Sequence, residues 1–328
     1  MHQKLKRVIG RNALCTVREH VTSIMRSRTN NTIRTKKQSF HGRPLPEETC
    51  IAFSSDQGRE LFAKALKEGG LKSYWKLAES FTTQSQPAAC GLASLVMVLN
   101  ALRVDPKKVW KGVWRWWDES LFYSHKADKD CKNCVDIKER NLEQGLTFEE
   151  LVGNAKCERL SLEGYFASNK TIVANSSIET KKLNHFREVL RHTQLTSSSN
   201  SSSDDVNNDM LICSFSRSVL KQTGTGHFSP IGGYVPSMDK VLVMDVARFK
   251  YPSYWVDIET LWNAMCQPDL ETWKPRGYIV VSGDQTEFES ATEKELLEST
   301  CDTASVCSST NATTNMTTTN TSSVLCYS

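Results

Sequence analysis

The chain has 328 residues, enough for one large or two small domains, and a formal net charge of +4 at pH 7. Its hydrophobic content of 39% and its 8 Trp indicate a sizeable core, and the modest charge does not suggest nucleic-acid binding. No uninterrupted apolar run reaches the ~18 residues of a membrane-spanning helix. The 11 Cys are odd in number, so at least one cysteine stays unpaired within the chain.

Residues 1–43 form a basic extension that contains eleven Lys or Arg and a single acid, Glu19. Apolar residues are interspersed among the cations, which gives the segment amphipathic potential. This composition is typical of a mitochondrial transit peptide, and it also fits a disordered basic tail. We therefore expect a mitochondrial location, with the cytoplasm as the alternative.

The folded body is predicted to begin with helices. Ser55 is a candidate cap for a helix that runs through Leu66 and stops at Gly69-Gly70, and residues 73–80 are predicted to form a second helix. Thr147 and Glu150 show the spacing of a capping box at the start of a further helix. Residues 178–192 are also predicted to be helical.

The stretch from Gln84 to Leu102 is the one on which the interpretation depends. After Cys90 it is apolar on nearly every side, which predicts a helix buried in the core, and Pro87 marks its start. A cysteine at the N-terminus of a helix has a lowered pKa and a larger thiolate fraction. We therefore expect Cys90 to be a nucleophile, with the Gln84 amide within reach of its sulfur; an inert core cysteine is the alternative.

Two further motifs follow this helix. Four tryptophans lie between Trp110 and Trp117, which favours a wall of the core over the lining of a cleft. Cys131 and Cys134 have the spacing of half a zinc site, with His125 and Cys157 as candidates for the remaining ligands. Their charged surroundings also fit an exposed loop with two free thiols.

The second half of the chain is predicted to contain strands with hairpin-like spacing. Helices first and strands later indicate an α+β fold with an antiparallel sheet. Residues 196–209 read as a flexible serine-rich insertion, and residues 286–328 as a disordered Ser/Thr-rich tail. The predicted strands cover residues 210–215, 227–234, 241–246 and 278–281.

His227 and Asp245 lie on the second and third of these strands. A turn centred near Pro236 would place them directly opposite each other, where their Cβ atoms would be ~5 Å apart. The carboxylate would then orient the imidazole, leaving its other nitrogen to face the Cys90 thiol. Cysteine, histidine and aspartate would act as nucleophile, base and orienting group, as in papain-like proteins.

At these residues the chain resembles the phytochelatin synthase family, over roughly residues 44–285. The resemblance implies a papain-like α+β fold, in which a helical subdomain with the buried nucleophile helix packs on an antiparallel sheet. It also implies a triad of Cys90, His227 and Asp245, with Gln84 in the oxyanion hole. The matching segments are residues 84–94 (QSQPAACGLAS), 110–120 (WKGVWRWWDES), 221–234 (KQTGTGHFSPIGGY) and 245–252 (DVARFKYP).

The reaction implied by this resemblance is transfer of the γ-Glu-Cys unit of glutathione to a second glutathione or to a phytochelatin peptide. No organic cofactor is implied; cadmium, zinc or copper would activate the enzyme, mainly as metal–glutathione thiolates. Cys131, Cys134 and Cys157 are metal-ligand candidates, and a homodimer is left open. The candidates for contacts to the two carboxylates and the backbone of glutathione are Gly226, Phe228, Arg217, Lys221, Arg248 and Lys250.

Two alternatives to a transferase remain at this stage. The same triad with water as acceptor would make a peptidase that acts on glutathione or its S-conjugates. A non-catalytic metal-binding protein that uses its thiols would not depend on Cys90.

Overall fold

The computed structural model describes residues 42–123, 132–137, 145–168, 176–196 and 208–283. All of these belong to the unit that starts at Gly42. The basic extension up to residue 41, most of the serine-rich insertion and the tail from residue 284 lie outside the described residues. The predictions made for these segments therefore stay predictions.

A seven-stranded antiparallel sheet organises the fold, in the order β1-β6-β5-β4-β3-β7-β2. This sheet, together with the helices around it, confirms the predicted α+β class. The strands are β1 (Ile51–Ala52), β2 (Leu162–Phe166), β3 (Met210–Ser216), β4 (Gly226–Val235), β5 (Lys240–Val243), β6 (Tyr254–Asp257) and β7 (Gly277–Val281).

The helices that the sequence predicted begin at the expected caps. The Ser55 hydroxyl accepts a hydrogen bond from the Gly58 N–H at 3.0 Å. Thr147 and Glu150 form the predicted capping box, in which each side chain accepts from the other residue's backbone N–H. The described helices are α1 (Asp56–Lys67), α2 (Tyr74–Glu79), α3 (Cys90–Ala101), α4 (Glu119–Tyr123), α5 (Phe148–Cys157), α6 (Ser176–Gln194) and α7 (Ile258–Met265).

Helices cover both faces of the sheet, so the central strands are buried on both sides. In β3 every residue is buried, and alternate side chains enter different cores. Met210 and Ile212 pack with the helices α1, α2, α3 and α5, whereas Leu211 and Phe215 pack with α6 and α7. This alternation follows from the two-residue period of a strand.

Helix α3 is the central element of the first core. Ten of its twelve residues are buried, and fully burying a side chain the size of Leu, Val or Met stabilises a fold by about 1.5–3 kcal/mol. The Ser94 hydroxyl, one turn after Cys90, donates to the Phe228 carbonyl at 3.0 Å. The hydrogen bond fixes the start of α3 against β4, next to His227.

Two sequence predictions differ from the structure. The tryptophan-rich motif is mostly on the surface: Trp117 is buried, but Trp114 and Trp116 are 71% and 43% exposed. A short loop in which Lys111 and Trp114 are bridged turns these rings outward. The third predicted strand ends at Val243, because the chain leaves the ladder before Asp245.

Candidate active site

Three separate elements bring the predicted thiol, imidazole and carboxylate together. Cys90 is the first residue of α3, His227 lies at the start of β4, and Asp245 follows the end of β5. His227 Nε2 lies 2.9 Å from Asp245 Oδ1. Because Nε2 faces the carboxylate, Nδ1 is the nitrogen available to exchange a proton with the Cys90 sulfur.

The predicted register of the β4–β5 hairpin was wrong. Val235 pairs with Lys240 and Ile231 pairs with Val243, so His227 and Asp245 are not cross-strand partners. A 3₁₀ turn and the left-handed Asp239, at φ 48°, move the turn centre past Pro236. Asp245 reaches His227 from beyond the strand end instead.

Burial and charge act together on these three groups. Burial opposes ionisation of the Cys90 thiol, but the adjacent His227, a backbone hydrogen bond from Phe228 and the Arg217 charge outweigh it and lower the pKa of Cys90. Burial also disfavours the His227 imidazolium, yet the Asp245 carboxylate raises the pKa of His227. The site therefore favours a thiolate–imidazolium pair.

Asp245 is kept ionised by a buried network. Burial raises the pKa of its carboxyl, but His227, Arg217 and a hydrogen bond from the Ala247 N–H, at 2.9 Å, lower it overall. The Arg217 guanidinium contacts Oδ1 at 3.0 Å and Oδ2 at 2.9 Å, and it also donates to the Gln222 amide oxygen. Arg217 thus serves as a counter-ion for the Asp245 carboxylate.

Gln84 lies beside Cys90 in the cleft, but its amide is not aimed at the sulfur. Its Nε2 donates to the carbonyls of Gln86 at 2.7 Å and Pro87 at 2.9 Å, so both N–H bonds are used. Its backbone N–H donates to Val246, next to Asp245, at 3.0 Å. To act as an oxyanion donor, the side chain would have to exchange one of the two carbonyls for the substrate.

The cleft in front of Cys90 is a cavity of about 270 Å³. Four of the six predicted substrate contacts, Gly226, Phe228, Arg217 and Lys250, are among its lining residues. The other two lie elsewhere. Lys221 pairs with Glu48 at the surface, and Arg248 stacks on the Phe81 ring and contacts the Thr83 hydroxyl.

The sequence interpretation missed one charged pair in this cleft. Arg276, which is 4% exposed, places its Nη2 2.9 Å from Asp269 Oδ2. A Cβ on Gly226 would lie 3.0 Å from the same guanidinium, so glycine leaves this approach open. Local sequence offers no signal for the pair, since the residues reach the cleft through the loop that precedes β7.

The three predicted metal-ligating cysteines do not form a site within the described residues. Cys131 lies outside them, the Cys134 sulfur contacts the Asn154 amide oxygen at 3.4 Å, and Cys157 is disulfide-bonded. Cys157 would need reduction before it could offer a thiolate to a metal. In the part of the chain that the structure describes, no group of three or more His, Cys, Asp or Glu could hold a metal ion.

The fold and the arrangement of these groups define the class of papain-like α+β proteins, with a thiol at the start of a buried helix facing a sheet-borne imidazole. A family model described as Phytochelatin synthase matches residues 40–278. The chain therefore belongs to the phytochelatin synthase family.

Curated relatives are similar over the same region. The chain is 42% identical over 244 residues to glutathione gamma-glutamylcysteinyltransferase 1 of Lotus japonicus, which covers 74% of the chain and 42% of the relative. It is 38% identical over 245 residues to the Schizosaccharomyces pombe glutathione gamma-glutamylcysteinyltransferase, covering 75% and 51%. It is 41% identical over 244 residues to glutathione gamma-glutamylcysteinyltransferase 1 of Arabidopsis thaliana, and this match covers 74% of the chain and 44% of the relative. The chain spans about half the length of the curated relatives it matches.

Proposed function

We propose that the chain transfers the γ-Glu-Cys unit of one glutathione to a second glutathione or to a phytochelatin peptide, by way of a thioester on Cys90. The names of the relatives support this substrate class. The single observation that carries the mechanism is the placement of Cys90, at the start of α3, beside His227, whose Nε2 lies 2.9 Å from Asp245 Oδ1. The lowered pKa of Cys90 and the raised pKa of His227 agree with this geometry.

In the first half-reaction the Cys90 thiolate attacks the carbonyl carbon of the Cys–Gly peptide bond. His227, as imidazolium, gives its proton to the glycine nitrogen, and the C–N bond breaks to release glycine. Asp245, 2.9 Å from Nε2, keeps the ring oriented and stabilises its charge. The γ-Glu-Cys acyl group stays on the sulfur as a thioester.

In the second half-reaction the α-amine of another glutathione, or of a phytochelatin peptide, attacks the thioester carbonyl. His227 accepts the proton that the amine loses, and the C–S bond breaks to regenerate the thiolate. The new peptide bond lengthens the acceptor by one γ-Glu-Cys unit. Water in place of the amine would give hydrolysis at the same site.

The negative oxygen that forms in both steps needs hydrogen-bond donors. The backbone N–H of Cys90 is one of the first four in α3, which have no partner within the helix. We propose it as one donor and Gln84, after exchange of a carbonyl partner, as the second. Loss of one such donor costs ~3 kcal/mol of transition-state stabilisation.

The charges of the cleft fit a zwitterionic substrate. Asp269 offers a carboxylate for an α-ammonium group, whereas Arg276 and Lys250 offer cations for carboxylates. The Lys250 ammonium already donates to the Thr223 carbonyl at 2.6 Å, so it is held at the cleft. We propose that these three side chains bind the charged ends of glutathione.

Heavy-metal ions would act on this reaction through the substrate. Cadmium, zinc and copper prefer thiolate ligands, so they would bind the thiol of glutathione and present a blocked peptide to the cleft. The peptides formed would in turn bind the metal, which gives the reaction a role in heavy-metal detoxification. No organic cofactor enters the steps above.

The proposal also covers the cellular location and the oligomeric state. The basic composition of residues 1–43 supports a mitochondrial location, with the cytoplasm as the alternative. A homodimer stays open. Among the described residues, no helix has both the length and the apolar character needed to cross a membrane.

Incubation with glutathione and Cd²⁺, followed by mass spectrometry, tests the proposal. Transfer predicts (γ-Glu-Cys)n-Gly peptides and free glycine, and Cys90→Ser is expected to abolish both. Cys213→Ser is a matched control, because Cys213 is buried in the other core, on β3. Release of γ-Glu-Cys and glycine without longer peptides would instead identify a peptidase. Neither product from the wild type, with Cd²⁺ binding that Cys90→Ser leaves unchanged, would favour a non-catalytic metal-binding role.

A further inference from the structure

A buried carboxylate holds the segment between Gln84 and the nucleophile. Glu119 Oε1 accepts a hydrogen bond from the Ser85 N–H at 3.0 Å, and its Oε2 accepts one from the Ser85 hydroxyl. Both carboxylate oxygens thus accept from Ser85, and Oε2 also accepts a longer hydrogen bond from the Tyr123 hydroxyl, at 3.5 Å. Because the Gln84 N–H also donates to the Val246 carbonyl, at 3.0 Å, the segment that leads to Cys90 is held at two points.

The position of Glu119 is costly unless it has such partners. The residue is 6% exposed, and burial raises the pKa of its carboxyl by more than the hydrogen bonds from Ser85 lower it. The other groups that act on its ionisation are Asp118 and Tyr123, neither of which is a cation. A buried carboxylate is tolerated where hydrogen bonds replace its hydration. Here these hydrogen bonds come mainly from Ser85.

The same segment is tied back to the nucleophile helix. Asn100, near the end of α3, donates to the Trp117 carbonyl at 2.9 Å and accepts from the Trp117 N–H at 3.0 Å. Trp117 is two residues before Glu119, which contacts Ser85, and Ser85 leads into the start of α3. The tryptophan-rich motif, through Glu119 and Ser85, thus connects the end of the nucleophile helix to the start of the same helix.

We propose that Glu119 is a positioning residue for the transfer reaction, which holds Ser85 and thereby the Gln84–Cys90 segment in the geometry for attack. This proposal rests on the proposed function. Glu119 does not line the cleft in front of Cys90; it lines a separate cavity of about 490 Å³ behind the segment. It therefore acts on the nucleophile through Ser85 and not on the substrate.

The effect of losing this contact should fall on kcat. Misplacement of reacting groups by about 1 Å costs ~100-fold in rate. We expect Glu119→Ala to lower kcat about 10- to 100-fold, with KM for glutathione within about threefold of wild type. Glu119→Gln keeps an acceptor for the Ser85 N–H and a polar group for its hydroxyl, so it should restore kcat to within about threefold.

A double-mutant cycle separates positioning from general destabilisation. Ser85→Ala removes only the hydroxyl contact and should lower kcat by about threefold to tenfold. If the contact is shared, the double variant should be no slower than Glu119→Ala alone, since coupled residues are not additive. Glu79→Gln is the matched control, because this exposed carboxylate lines the same cavity and should leave kcat unchanged.

The outcomes distinguish this proposal from the function on which it rests. If the wild-type protein makes neither longer peptides nor free glycine, the proposed function is wrong. If the wild type is active and Glu119→Ala keeps its kcat, or if Glu119→Ala and Ser85→Ala are fully additive, the positioning role is wrong. If Glu119→Ala does not fold, Ser85→Ala and Glu119→Gln still decide the question. A tenfold loss of kcat in Glu119→Gln together with an unchanged kcat in Ser85→Ala would contradict the proposal.

Discussion

Replacement of Asp245 by Asn perturbs the charge balance of the site while keeping its shape. The wild-type carboxylate is fully buried and lies 2.9 Å from His227 Nε2 and 2.9 Å from the Arg217 guanidinium. With a neutral amide there, the Arg217 charge is no longer balanced beside the imidazole. The imidazolium that must protonate the departing glycine is then disfavoured.

The structure allows an estimate of the loss. Breaking a buried ion pair by removal of one partner costs about 3–5 kcal/mol. If that cost falls on the imidazolium, kcat should drop by a factor of about 10² to 5 × 10³, since each 1.36 kcal/mol is a factor of ten. KM should change much less, because the Asp245 carboxylate is buried behind His227.

The assay is peptide formation from glutathione and Cd²⁺, together with circular dichroism to establish that the variant folds. Asp239→Asn is the control: this residue lies in the turn of the same hairpin, pairs with Arg187 at the surface, and has a left-handed conformation that Asn tolerates. It should keep wild-type kcat. A folded Asp245→Asn variant with kcat within threefold of wild type would refute the electrostatic reasoning.

Three further predictions concern ionisation and the cleft. Since the pKa of Cys90 is lowered and that of His227 is raised, the thiolate–imidazolium pair exists at pH values between the two. The rate of Cys90 alkylation by iodoacetamide, plotted against pH, should therefore have its midpoint below 9.0, the ordinary pKa of a thiol. A midpoint at or above pH 9.0 would contradict this prediction. Arg276→Lys should raise KM for glutathione about tenfold, or about 1.4 kcal/mol, because an ammonium does not reproduce the planar guanidinium; steady-state kinetics with unchanged KM would argue against carboxylate binding there. Lys250→Gln should also raise KM, whereas Lys221→Gln, at the surface, should not; equal effects would remove the distinction between cleft and surface.

The nucleophile helix could be predicted from sequence because its signals are local. An apolar run after Pro87 and Ala89 places Cys90 at a helix start, and the structure has α3 begin at that residue. The capping residues Ser55 and Thr147 were predicted for the same reason. The sequence pattern does not predict β1, β2 and β6. Strands β1 and β2 pair with strands far along the chain, whereas β6 pairs with the neighbouring β5 but has only four residues.

The finer geometry of the site depended on contacts that the sequence pattern does not contain. A symmetrical hairpin around Pro236 would pair Val235 with residue 237, but the turn with the left-handed Asp239 shifts the register by three residues there, and by two at Ile231, beyond the bulge. The partner of Arg217 could not be deduced either, since its guanidinium turns inward to Asp245. Arg276 reaches the cleft from the loop that precedes β7, and no sequence motif marks that loop.

The measurement that tests the central claim most directly is mass mapping of the acyl intermediate. Rapid acid quenching of the protein with glutathione, followed by digestion, should show a γ-Glu-Cys mass on the peptide that contains Cys90 and on no other cysteine peptide. His227→Asn should prevent the adduct from accumulating. An adduct on a different thiol, or turnover without any adduct on Cys90, would contradict the account.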